Sequence, residues 1–290
     1  MSAERGWAFR SEIPVGHVGS LRTPRTHLLV MPKPTRAKPT AESWTALPDT
    51  AERFSSGVAE FDRLLGGGFR RGSHVLFEVD DTVGPADRSL LFTPLLLNFL
   101  YQSRGVLAVL PSRETPHGFR TDLTRWVSRR RFDTRVRVVV YVDEDAEVPY
   151  VVDLSKMKLT GTPAQTKKGG RDAMAKMVTA EKAIQGVRAK PFIELIAFEI
   201  ADMLFGAETA TRMFFHGIKR ARIVGNLVVG VLRPGLTCAD SVRGMADVVL
   251  GLHRSDLGVV VRGIRPVFPE HLVVVDSRLG IPHVTFLPAT

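Results

Sequence analysis

The stretch FSSGVAEFDRLLGGGFRRGSHVLFEVDDTVGPADRSLLFTPLLLNFL, residues Phe54 to Leu100, decides the fold. It opens on a turn signal, Ser55-Ser56-Gly57, and continues as an amphipathic segment through Leu64-Leu65. A glycine run follows, Gly66-Gly67-Gly68, and then an apolar run from Ser73 to Val79 suited to a buried strand. Past Val79 the polarity changes abruptly. Asp80-Asp81-Thr82-Val83-Gly84-Pro85-Ala86-Asp87-Arg88 reads as a loop, and Ser89 to Gln102 as a long apolar helix. Strand, loop and helix in that order is the frame in which nucleotide-binding proteins cradle phosphate, because backbone N–H groups at the start of the helix face the anion.

The order of these segments resembles the KaiC-like branch of the RecA-superfamily ATPases, where S-T-G-x-x-x-L-D-x-L-L-G-G-G leads into a strand and a P-loop. The match is close from Ser56 to Glu78. It implies an α/β fold with a RecA-like three-layer α/β/α core, a mostly parallel sheet and a C-terminal antiparallel meander. At the loop the sequence departs from the family. A P-loop reads G-x-x-x-x-G-K-[ST], its Lys neutralising β/γ charge and its hydroxyl holding Mg²⁺. Gly84 can stand for the second glycine, but Pro85 then takes the Lys position and has no N–H to give. Shifting the frame makes Arg88-Ser89 the Lys-Ser pair and puts Asp87 where the glycine belongs. Asp80, Asp81 and Asp87 add negative charge that repels a triphosphate. If a cofactor binds, the resemblance implies ATP with Mg²⁺, contacted by Gly84, Arg88 and Ser89.

Later segments repeat the pattern of likeness and departure. Val106 to Leu110 reads as a buried strand, and Pro111 to His117 opens a helix expected to run to about Arg130. KaiC-like proteins carry E-E-[ST]-P-E there, the first glutamate orienting the attacking water. Here Arg113 stands at that position and Glu114 keeps the second. Arginine stays charged at any accessible pH and cannot take a proton from water. Arg137 to Val142 reads as the next strand. From Pro191, PFIELIAFEIADMLFG has the cadence of a Walker B strand and helix, with Glu199 at the metal-supporting aspartate. Ile193, Ile196, Ile200 and Met203 also fit helical spacing, so part of this run reads as helix. The extra methylene of Glu199 suits a tight octahedral Mg²⁺ poorly. After an amphipathic helix, Ala207 to Arg222, the strand Asn226 to Leu232 ends at Arg233-Pro234-Gly235, where the family senses γ-phosphate. Ala246 to Leu250 resembles the family's A-D-x-V-I-x-L strand. Gly258 to Arg262 and His271 to Asp276 read as the meander. Val260 to Gly263 resembles the K-x-R-G element that reaches a neighbouring subunit's nucleotide in ring-forming relatives. Arg262 keeps its arginine and Val260 replaces its lysine.

With 290 residues, 44% hydrophobic and 24% charged, the chain has room for one large α/β domain with extensions, or at most two domains. Residues 1–50 carry Pro14, Pro24, Pro32, Pro34, Pro39 and Pro48 and read as a largely irregular basic arm with one short strand, His27 to Met31. Residues 51–290 form the core, interrupted at about 143–190 by an insertion that begins acidic and turns basic. That insertion offers a short strand, Tyr150 to Leu154, and a Lys167-Lys168-Gly169-Gly170 loop before a helix, Asp172 to Val187. The single cysteine, Cys238, excludes an internal disulfide and fits a reducing cytosol. Met1 to Arg10 lacks the apolar core of a signal peptide, and the apolar run Leu90 to Leu100 falls short of the roughly 20 residues a membrane span needs. A cytoplasmic protein without membrane association is expected. No His/Cys cluster with metal spacing and no nucleophile-elbow motif is present, so zinc enzymes and hydrolases of that type are set aside, and no metal site is expected.

The net charge of +10 invites a polyanion. Two candidate contacts are Arg129-Arg130-Arg131, inside the basic stretch Arg125 to Arg137, and the Lys167-Lys168 loop. For the arginines, the competing reading is a solvated helix C-terminus whose cations complement the helix dipole. Departures at Pro85 or Asp87, Arg113, Glu199 and Val260 together point to a pseudo-ATPase, since removing even one charge-stabilising group costs about 10²–10³ in rate. The leading reading is a degenerate KaiC/RecA-like protein acting as a regulatory or scaffold subunit. Its partner would be an active RecA-fold relative or further copies, met through RecA-type subunit surfaces. One alternative is a nucleic-acid-binding RecA paralogue. Another is an ATP-binding protein or weak ATP hydrolase whose atypical loop uses Arg88 and Ser89.

Overall fold

The computed structural model describes residues 44–111, 114–140, 148–154, 191–276 and 283–289, with scattered helical positions between 168 and 179. The proposed strand at His27 to Met31, most of the 1–50 arm, Arg113 and Lys167 lie outside the described residues. Those that are described belong to one compact unit, Ala37–Thr290.

The lead-in turns the chain back on itself. Strand β1 (Arg53–Phe54) pairs antiparallel with β2 (Phe69–Arg70), and helix α1 (Ala59–Leu64) lies between them in sequence. Asp62 organises this turn: its carboxylate accepts from the Ser55 hydroxyl (2.6 Å) and the Ser56 amide (2.7 Å), and its carbonyl accepts from the amides of Gly67 and Gly68. Gly68 has φ +94°, and a Cβ there would sit 2.3 Å from the Phe54 carbonyl oxygen, so only glycine fits. Ahead of β1, the segment from Trp44 straps over helix α2 (Pro85–Tyr101). Buried Asn98 on α2 receives the Leu47 amide and donates to the carbonyls of Leu47 and Ser55. Asp49 pairs with Arg104 and Arg71, whose guanidinium groups also lie over the Phe54 ring.

Ten strands form the main sheet in the order β12-β11-β10-β9-β3-β8-β7-β4-β5-β6. The parallel part comprises β3 (His74–Val79), β4 (Val106–Val109), β5 (Val136–Val140), β6 (Val151–Asp153), β7 (Ile193–Ala197), β8 (Leu227–Leu232) and β9 (Val248–Ser255). Antiparallel strands β10 (Gly258–Arg265), β11 (Val267–Asp276) and β12 (His283–Pro288) extend it beyond β9. The central parallel strands β3, β4, β7 and β8 are buried on both faces, which is why their sequences are nearly unbroken apolar runs, whereas the edge strand β6 is only half-buried.

One face packs against α1, α2, α3 (Pro116–Leu123) and α4 (Arg129–Arg135), with Phe61, Leu95, Phe99, Leu123 and Phe132 in a common core with Val75, Phe77 and Val229. The other carries α5 (Phe198–Phe205), α6 (Ala207–Val224) and α7 (Ala239–Met245), with Phe198, Phe214, Ile218 and Val242 against Leu76, Val228 and Val249. The expected three-layer α/β/α architecture with a terminal meander is the one observed.

Three local features differ from expectation. The helix expected to reach Arg130 is two helices: α3 stops at Leu123 and α4 begins after Ser128, whose side chain accepts from the Arg131 amide. The Pro191 run divides into strand β7 and helix α5, as its mixed periodicity allowed. The meander gains a strand, β12, whose Phe286 amide donates to the Glu60 carboxylate of α1 at 2.9 Å.

Candidate functional site

The site the sequence points to lies at the C-terminal edge of the parallel strands, where open α/β sheets bind ligands. After β3 the chain makes a self-contained loop. The Asp80 carboxylate accepts from the Thr82 amide at 2.9 Å, an Asx turn, and the Asp80 carbonyl accepts from Val83. Hydrogen bonds from the Thr82 amide and hydroxyl hold Asp80 below the usual carboxylate range. Gly84 is the N-cap of α2, and Pro85 occupies the first helical turn, where its fixed φ is favourable. Asp87 at the third helical position reaches back to the N-cap: its Oδ2 accepts from the Gly84 amide at 3.0 Å, and Arg254 of β9 donates to both carboxylate oxygens at 2.9 and 2.7 Å. The Thr82 hydroxyl accepts from the Arg254 amide, and the Ser89 hydroxyl donates to the Pro85 carbonyl at 3.1 Å. Gly84 has φ −78°, which any residue can adopt, so this backbone does not require the glycine.

Arg88 does not face solvent. It is 1% exposed and donates from Nη2 to the Glu114 carboxylate at 2.8 Å; its Nε and Nη1 are buried without hydrogen-bond partners. Burial lowers the affinity of Arg88 for its proton, opposed by the charge of Glu114. Burial likewise pushes the Glu114 carboxyl up, and the facing Arg88 pulls it back. Beside this pair, Arg233 at the end of β8 lies 2.8 Å from the Glu199 carboxylate, in the first turn of α5, and 3.2 Å from Asp81. Arg88, Glu114 and Glu199 thus lie in one charged group with Arg233 and Asp81, which the sequence did not nominate as partners.

These residues do not fit a nucleoside triphosphate with Mg²⁺. Pro85 supplies no N–H, the Gly84 amide and the Ser89 hydroxyl are spent on the protein, and Asp87 sets a carboxylate at the helix N-terminus. Arg88 and Arg233 lie against the carboxylates that a metal would need. The lost glycine was legible in the sequence; the engagement of Arg254 and Arg233 was not.

Arg262 is exposed on β10 with its side chain laid along Gly251, where a Cβ would meet it at 3.0 Å. It lines a cleft of about 740 Å³ with Glu78, Asp80, Arg233, Arg243 and Glu270, separate from the Arg88–Glu114 contact. Val260, at the lysine position of that element, is buried.

The basic stretch differs from the expectation of a helix C-terminus. Arg129, Arg130 and Arg131 occupy the first turn of α4, where the dipole disfavours cations. Arg131 stacks over the Tyr101 ring at 4.6 Å, and Arg120 of α3 forms a bidentate pair with Asp133. Arg129 and Arg130 are exposed and have no ion pair among the described residues. Lys168 is exposed in a helical position. No group of three or more His, Cys, Asp or Glu suited to a metal occurs among the described residues.

The sequence model of the family described as GvpD basic region 2 matches residues 43–288. The chain belongs to that family. Among curated proteins it is 25% identical over 252 residues to protein GvpD2 of Halobacterium salinarum, covering 87% of this chain and 50% of GvpD2. It is 34% identical over 96 residues to protein GvpD1 of the same organism, covering 33% of this chain and 18% of GvpD1. The chain therefore spans at most about half the length of these relatives. Among solved structures, a KaiC-like protein from Pyrococcus horikoshii superposes with a TM-score of 0.54 at 15% identity, over 83% of this chain and 100% of that one. That likeness is one of fold: the GvpD basic region 2 chain has a RecA/KaiC-like core. None of its described helices is long and apolar enough to cross a membrane.

Proposed function

We propose that this GvpD-family chain is a regulatory or scaffold RecA-fold protein that neither hydrolyses nor tightly binds ATP and works through protein contacts in the cytoplasm. The observation that carries this reading is the engagement of Arg88, the residue at the P-loop lysine position in the shifted frame, with Glu114 at 2.8 Å in a buried position. Asp87 supports it, because it fills the helix N-terminus and is itself held by Arg254. An ATPase using Arg88 and Ser89 would have to pull both side chains away from their protein partners first. Partnership with a RecA-fold relative draws on the core shared with KaiC-like proteins and on a match that spans half of GvpD2. The test is calorimetry with ATP and ADP in the presence of Mg²⁺. No heat at millimolar nucleotide is expected. Micromolar binding that disappears in Arg88→Ala would replace this reading with a nucleotide switch.

Nucleic-acid contact is the second reading, favoured by the exposed Arg129 and Arg130 in the first turn of α4, which have no ion pair among the described residues. Its mark would be RNA or DNA binding whose affinity falls steeply with salt, as counterions are released from phosphates. Arg129→Ala/Arg130→Ala would then flatten the slope by about two. Binding that ignores both salt and these substitutions would remove the reading.

A further inference from the structure

The charged side chains at the strand ends form a connected set. Arg88 reaches from the first turn of α2 to Glu114, just before α3; Arg233 reaches from the end of β8 to Glu199 on α5 and to Asp81 after β3. Both arginines are largely withdrawn from solvent, with side chains 1% and 16% exposed, as are the carboxylates of Glu114 and Glu199 at 23% and 18%. Two carboxylates in such a place demand positive charge, because in a low-dielectric setting repulsion between them is poorly screened. The usual solution at the edge of a nucleotide-binding sheet is an exchangeable divalent cation.

We infer that Arg88 and Arg233 are resident counter-ions, covalently attached charges that neutralise Glu114 and Glu199 and clamp α2, the approach to α3, α5 and the end of β8 in one arrangement independent of metal and nucleotide. A tethered guanidinium cannot dissociate, so the arrangement does not vary with ligand concentration. Arg88 hydrogen-bonds Glu114 and Arg233 hydrogen-bonds Asp81, so each also ties two segments together. This inference deepens the proposal that the chain does not bind nucleotide, and it names what holds the site in place.

The experiment uses the full chain and follows its melting temperature with EDTA and with millimolar Mg²⁺. For the wild type, no response to either is expected. Arg88→Ala should melt on the order of 10 °C lower, since it leaves the Glu114 carboxylate without its counter-charge. Arg88→Ala/Glu114→Gln, which removes both charges, should recover much of that loss. Should Arg88→Ala fail to fold, Arg233→Ala compared with Arg233→Ala/Glu199→Gln, on the more solvated half of the set, gives the same readout. A wild-type melting temperature raised by Mg²⁺ or lowered by EDTA would overturn the inference, as would a double variant no more stable than Arg88→Ala. Failure here is distinguishable from failure of the functional proposal: nucleotide binding by the wild type sinks the latter, whereas a double variant that recovers nothing, in a chain that also ignores ATP, sinks only the counter-ion role.

Discussion

Glu194 on β7 and His74 on β3 are polar residues set in apolar strands, and both lie under α6. They flank Val228 in one row across the sheet, Glu194 opposite Val228 and Val228 opposite His74. Gly217 of α6 lies over Glu194, and Phe214 packs edge-on against His74 at 4.3 Å. Burial pushes the Glu194 carboxyl from 4.5 up to about 7, with Asn226 opposing in part. Burial likewise pushes His74 from 6.5 down to about 3, against the Met245 carbonyl and Asp247, with Arg222 adding to the fall. The signs follow by linkage. Glu194 contributes most stability below 4.5, where both states are protonated, and loses it as pH rises toward 7. His74 contributes most above 6.5 and loses it as pH falls toward 3. From these two groups stability is level between 4.5 and 6.5 and declines on either side. Glu194→Gln should therefore gain on the order of 3 kcal/mol at pH 8 and almost nothing at pH 4, read from urea melts at both. An equal change at the two pH values would show that packing, not ionisation, sets its effect. Neither group stood out in the sequence, because one polar residue in a buried-strand run does not say which face it takes.

At the scale of elements, the strap ahead of β1 is held by a few side chains: Asn98, Gln102, which also donates to the Leu47 carbonyl, and Asp49 with its arginines. Asn98 satisfies both the amide and carbonyl of Leu47 and also the carbonyl of Ser55 from inside α2. Asn98→Ala should cost about 1–3 kcal/mol, since it leaves buried backbone groups unpaired. The strap should also become an early cleavage site in limited proteolysis. A variant with unchanged stability and an uncut strap would show that Trp44 and Asp49 hold it without Asn98. Irregular sequence rich in proline gave no sign of this anchoring, because the partner is 51 residues away. The break between α3 and α4 is written at Ser128, an N-cap residue, and the arginine run behind it masks that signal with charge. Strands β3, β4 and β8 were legible because seclusion on both faces leaves little but Val, Leu and Ile.

For the whole molecule, the layering was readable from the order of buried runs and intervening helices, and from the Ser56 to Glu78 lead-in. What the site does with its charges was harder to see. Arg233 meets Asp81 across 152 residues, and Arg254 meets Asp87 across 167. No spacing rule connects such pairs; only the strand order that sets β8 and β9 on either side of β3 does so. The extra strand β12 was hard to see because, although Gly280 and Pro282 precede it, its six residues bury only Val284 and Phe286.

That strand bears on how the protein can assemble. A sheet whose outermost strand leaves an amide open offers a template onto which another chain can add. Here the Phe286 amide is already committed to Glu60, and α1 lies along that margin. Glu60→Ala should free the amide and bring concentration-dependent self-association in sedimentation; a variant that stays at the wild-type size would show that α1 alone guards the strand. With that amide closed, strand addition at this end of the molecule is interrupted at Phe286, which shifts recognition there from backbone pairing toward surface side chains.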